Sequence, residues 1–160
     1  MNATELVTSE WLGSEGYCVM PHVKFGRKEA DLLAIRPTDG RRLHVEVSVS
    51  SRPWGSIRAV EDYRREAAEY LEKKFTSLHD DVSKILGATD FQRWLVIGNL
   101  AGGHDEEYAW KSRMLEDDVI VIRFNEVVRQ YVKNFKSRPV GLTGDLLDVL
   151  NELGLLKLDS

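Results

Sequence analysis

His44-Val45-Glu46-Val47-Ser48-Val49-Ser50 is the stretch on which the fold turns. Side chains of an extended strand alternate faces. Leu43, Val45, Val47 and Val49 therefore make one face, and His44, Glu46, Ser48 and Ser50 the other. The first reads as core. The second is polar and carries a carboxylate, Glu46. Upstream, a second acid, Asp31, opens another strand over residues 31–35, and a third, Glu5, sits on an N-terminal helix. Carboxylates on helix, strand and strand, in that order, can converge on one divalent cation.

The surrounding chain gives an α/β pattern. Residues 4–15 read as a helix, with Leu6, Val7, Trp11 and Leu12 near helical spacing and Gly16 as its stop. Residues 17–23 read as a strand in which Pro21 suggests an edge. A basic turn around Gly26 follows, and residues 30–35 are apolar on both faces, the mark of a central strand. After the Pro37–Gly40 turn and the strand 41–50, Ser56 opens a long helical stretch to Gly87. Further strands are expected at 93–98 and 119–124, and helices at 106–115, 125–135 and 145–153.

Glu5, then Gly16-Tyr17, then Ala30-Asp31-Leu32-Leu33-Ala34, then His44-Val45-Glu46-Val47 occur in an order that resembles the PD-(D/E)XK nuclease superfamily. Within it, the likeness is to the Holliday-junction-resolvase and Mrr-like branch. In that branch an N-terminal helix carries a Glu and ends in a Gly-aromatic pair, and the two motif strands read like VDLVA and IEVK. The likeness spans about residues 1–75. It implies an α/β, restriction-endonuclease-like fold: a central mixed β-sheet of about five strands flanked by helices on an αβββαβ core. The chain is expected to be a single domain over 1–160, with the motif-bearing core in about 1–100 and a C-terminal elaboration in about 101–160.

The resemblance also implies a function, a Mg2+- or Mn2+-dependent DNA endonuclease that hydrolyses phosphodiester bonds. Asp31, Glu46 and the backbone carbonyl of Val47 would hold the metal, with Glu5 as an outer or second-metal ligand. Such ions prefer hard oxygen donors. The family places a Lys two residues after the Glu, and here that residue is Ser48. Ser48 can bind a water but brings no positive charge. Three accounts are open: another cation (Lys24, Lys28, Arg52, Arg64 or Lys74) reaches the site, the metal suffices for a slow enzyme, or the fold kept binding and lost catalysis. In the last case the chain would be a nucleic-acid-binding or protein-interaction module.

Composition narrows the partners. The formal net charge of −4 argues against a protein built to coat nucleic acid. Even so, ten lysines and arginines lie between Lys24 and Arg65, and Lys28, Arg41, Arg42 and Arg52 are expected to contact phosphates. DNA, branched or double-stranded, is the expected partner. The leucines at 146, 147, 150, 153 and 156 offer an apolar surface that could serve a homodimer. No apolar run approaches a membrane span. The N-terminus lacks a signal-peptide pattern, and the lone Cys18 cannot form an internal disulfide, so a cytoplasmic protein is expected. Cys18 reads as a packed core thiol. His44 could be a general base, a phosphate contact or a plain surface residue. His104-Asp105-Glu106-Glu107 reads better as the acidic first turn of a helix than as a metal site.

Overall fold

The computed structural model describes residues 1–48, 59–100 and 102–136. Their elements run α1 (Ala3–Ser14), β1 (Cys18–Phe25), β2 (Lys28–Arg36), β3 (Arg41–Ser48), α2 (Val60–Lys74), a 3-10 turn (Thr76–Leu78), α3 (His79–Leu86), β4 (Gln92–Ile97), α4 (Gly103–Glu116), β5 (Val119–Arg123) and α5 (Phe124–Lys136). The expected αβββαβ order is present. The strands form one five-stranded sheet in the order β1-β2-β3-β4-β5. The first three pair antiparallel, and β4 and β5 join in parallel, so the sheet is mixed, as expected. Antiparallel neighbours need only a tight turn, whereas parallel neighbours need a crossover. Gly26, at φ +65°, opens the two-residue turn between Phe25 and Lys28. The crossovers are α2 with α3, and then α4.

Both faces of the sheet are covered. On one, Leu32, Ala34, Leu43, Val45 and Val96 pack with Val7, Trp11 and Leu12 of α1 and Val127, Val128 and Tyr131 of α5. On the other, Leu95 and Ile97 meet Tyr63, Ala67 and Leu71 of α2 and Trp110 and Met114 of α4. Further along that face, Leu33 meets Leu78, Val82 and Leu86. β1 is an edge strand, as Pro21 suggests, and β2 lies inside the sheet with both faces covered.

Several expectations are corrected. The polar face of β3 is not a solvent face: His44 and Glu46 are both 0% exposed, because α2, the 3-10 turn and α3 lie over it. The long helix expected from Ser56 to Gly87 is broken after Lys74. A straight helix of that length would run about 48 Å, well past an eight-residue strand of about 27 Å. The chain turns at Phe75, buries that ring against His44, and restarts as α3 so that Val82 and Leu86 cover the sheet. Asp31 lies in the middle of β2 rather than at its start, because the hairpin ladder runs on to Phe25–Lys28. Cys18 is exposed at the first position of the edge strand. Ser50, Arg52, Trp54, the 145–153 helix and the leucine surface lie outside the described residues. Among the described residues, no helix is long and apolar enough to cross a membrane.

Candidate functional site

The β2–β3 ladder ends at Leu32–Val45. One further step in the same register would set Asp31 across from Glu46. The ladder does not take that step. Asp31 Oδ2 instead accepts the backbone N–H of Val47 at 2.9 Å. This bond turns the Asp31 carboxyl toward β3 and beside Glu46. Glu46 is fixed from its own strand, since His44 Nε2 lies 2.8 Å from Glu46 Oε1. Glu46 Oε2 is buried with no hydrogen-bond partner among the described residues.

A fully buried and a half-buried carboxyl side by side cannot both carry charge cheaply. Burial, and then the Glu46 carboxyl next to it, push Asp31 up to about 7, against the pull of the Val47 amide and Lys74. Burial likewise raises Glu46 to about 7, partly offset by Asp31 and Lys74. Burial drives His44 the other way, down to about 3, so its ring is neutral at physiological pH. A neutral imidazole hydrogen-bonded to Glu46 and closed off from solvent is a positioning group. It is neither a surface residue nor a base open to substrate.

On the other side of Asp31, β1 is distorted. His22 lies between the Pro21–Leu32 and Val23–Ala30 pairs, which places it across from Asp31, and its φ is +51°. A non-glycine residue in this region inside a strand is strained. His22 Nε2 is 3.2 Å from Glu5 Oε2, and Nδ1 is hydrogen-bonded to Glu29. That bond is the main reason the Glu29 carboxyl lies below its usual range. Glu5 also completes a capping box with Asn2: it donates its own N–H to the Asn2 side chain and accepts the Asn2 N–H. On the β1 side it faces His22, which lies across the ladder from Asp31.

Helix α2 closes the site from above. Tyr70 is hydrogen-bonded to Ser48, and burial together with the nearby Glu46 and Asp31 carboxylates raises its pKa. Lys74 lies one turn further along the helix, and its charge is felt by Asp31, Glu46, Glu29 and His44. Lys74 also lines an open groove with Arg27, Lys28, Glu29, Arg65 and Lys73.

The expected residues therefore divide. Asp31, Glu46, Val47 and Ser48 are brought together, Glu5 contacts His22 of β1, and Lys28 borders the groove. Arg41 and Arg42 sit at the opposite end of β3 from Glu46, with Arg42 roughly 13 Å away along the strand. Arg42 donates to the carbonyl of Leu86, at the end of α3, and to that of Gly40, in the turn before β3. Arg52 lies outside the described residues. At the start of α4, Glu106 accepts the Gly102 N–H, and Glu107 pairs with Arg123 and Lys111. Those acids serve the helix start and a surface ion-pair network. His22 and Tyr70 were missed from sequence; the one hint was Pro21 beside His22.

Asp31 and Glu46, supplemented by backbone oxygen, are a hard-donor set of the kind Mg2+ or Mn2+ takes. The unsatisfied Glu46 Oε2 and the two raised carboxyls fit a cation at this point. Among the described residues, no group of three or more His, Cys, Asp or Glu side chains is arranged to hold a metal. Any ion here would therefore keep several waters, which is usual for Mg2+.

No family model matches the chain, and no curated protein sequence matches it. Among solved structures, SfsA of Pyrococcus furiosus, determined in complex with Ca2+, is similar at 16% identity over 74% of this chain, with a TM-score of 0.37. The chain spans about half of that structure's length, 52%.

Proposed function

We propose that this chain is a metal-dependent DNA endonuclease of the PD-(D/E)XK type. The observation that carries the proposal is the pair of half-buried Asp31 and fully buried Glu46, held side by side by bonds that leave Glu46 Oε2 without a partner among the described residues. A structural role would not gather two carboxyls where burial raises both and the Glu46 carboxyl further opposes ionisation of Asp31. Bound Mg2+ or Mn2+ would activate a water and offset charge at the phosphorus. Asp31, Glu46 and the Val47 carbonyl would hold the ion. His44 keeps Glu46 oriented, the Val47 amide keeps Asp31 oriented, and the groove lined by Lys28, Arg65 and Lys73 offers charge to a phosphate backbone. In the reaction a water oxygen bonds to phosphorus and gives up a proton to solvent, the bond from phosphorus to the leaving oxygen breaks, and that oxygen takes up a proton.

The test is incubation with branched, linear duplex and single-stranded DNA in Mg2+ or Mn2+, beside Asp31→Ala. Cleavage by the wild type that the variant lacks supports the proposal. The second reading is a catalytically inactive nuclease-fold protein that binds nucleic acid or another protein. It is favoured by Ser48, which puts no charge where the family has a Lys, and by the net charge of −4. DNA binding without cleavage in either metal would select it.

A further inference from the structure

We propose that Lys74, at the end of α2, supplies the positive charge that Ser48 leaves out of β3. The inference rests on the nuclease reading above and deepens it. Ser48 shares the Glu46 face of β3, two residues on, about 6.6 Å further along the strand. Its hydroxyl is bonded to Tyr70. Tyr70 and Lys74 are four residues apart on α2, so they leave the same face of the helix one turn apart. One turn is thus anchored over Ser48. The residue after Lys74 is anchored too, with the Phe75 ring 4.9 Å from His44. Lys74 is bracketed between a contact to Ser48 and a contact to the histidine that holds Glu46. In front of it, across the groove it lines, stands Glu29 of β2. This placement keeps Lys74 near enough for its charge to act on both carboxyls of the Asp31–Glu46 pair.

Among the described residues, the other expected cations are placed less well. Arg64 is bonded to Ser112 and Glu116 of α4. Lys24 and Lys28 are exposed on the β1–β2 hairpin. Lys74 is half-buried and forms no ion pair among the described residues. During hydrolysis Lys74 would keep its proton and offset the charge that builds on the non-bridging phosphate oxygens, while the leaving oxygen is protonated from solvent.

The test uses the full chain, with the single-turnover cleavage rate on linear duplex DNA, calorimetric Mn2+ affinity and a thermal melt for each variant. Lys74→Ala should slow cleavage by about 100-fold or more. Its Mn2+ affinity should hold or tighten, because a repelling charge has been removed, whereas a merely structural Lys74 would give weaker metal binding. Adding Ser48→Lys to Lys74→Ala should recover at least about tenfold of the lost rate. Lys84→Ala, on the exposed side of α3, should cleave like wild type. Should the alanine variant fail to fold, Lys74→Gln carries the same expectations. Wild-type cleavage by folded Lys74→Ala or Lys74→Gln would overturn the assignment of Lys74 alone. A wild type that binds Mn2+ and cleaves no DNA would overturn the nuclease reading, and Lys74's role with it.

Discussion

His44 Nε2 and Glu46 Oε1 are 2.8 Å apart, and neither side chain touches solvent. One oxygen of Glu46 is thereby satisfied and the other is left pointing at Asp31's side of the site. A buried neutral histidine that orients a carboxylate acts on a metal through that carboxylate. His44→Ala would remove the bond and open space beside Phe75. We expect a stability loss of about 2–4 kcal/mol in urea denaturation and Mn2+ affinity weaker by about tenfold or more. Unchanged affinity in a folded variant would remove His44 from the site.

The raised carboxyls predict an unusual pH dependence for the metal-free protein. A carboxyl whose folded pKa is about 7 binds a proton more tightly in the folded chain than in the unfolded chain. Stability should therefore fall as pH rises from about 4 to about 7, and level off above. The loss should be on the order of 2 kcal/mol, after discounting for Asp31's partial exposure. Asp31→Asn should flatten this slope and stabilise the metal-free protein at pH 8. A profile that rises through the same window would show that the pair is not strained.

His22 holds a left-handed backbone in a strand, at φ +51°. Glycine adopts that conformation freely and alanine does not. His22→Gly should therefore be more stable than His22→Ala by about 1 kcal/mol, although both lose the contacts to Glu5 and Glu29. Chemical denaturation of the two variants decides it, and equal stability would mean that the backbone strain is not borne in solution.

Phosphate contacts should follow the groove at Lys74 more than the start of β3. Lys28→Ala with Arg65→Ala should reduce the slope of log affinity against log salt by about two for a DNA duplex. Arg41→Ala with Arg42→Ala, at the other end of β3, should change it less. The reverse order would move the DNA path across the sheet.

Much of this was legible in the chain. Alternation in 43–50 and the apolar run 30–35 define β3 and β2, and the three acids could be picked out because each falls on a separate regular element. What the sequence could not show is set by long-range packing. Alternation marks His44 and Glu46 as polar but cannot tell that α2 and α3 roof that face, because the roof comes from residues 60–86. The break at Phe75 has no glycine or proline to announce it and is driven by burial against His44. His22 owes its role to a backbone angle that no residue pattern encodes. Lys74 and Tyr70 belong to the site only because a helix that begins 12 residues after β3 folds back across it, as part of the crossover that a parallel fourth strand requires.

The most direct measurement is a calorimetric titration of Mn2+ into the full chain at pH 7.5, for the wild type and for Glu46→Gln, with folding checked by circular dichroism. The Asp31–Glu46 pair predicts a single class of site in the wild type and affinity lower by about tenfold or more in the variant. Equal Mn2+ binding by wild type and folded Glu46→Gln, or none by either, would contradict it.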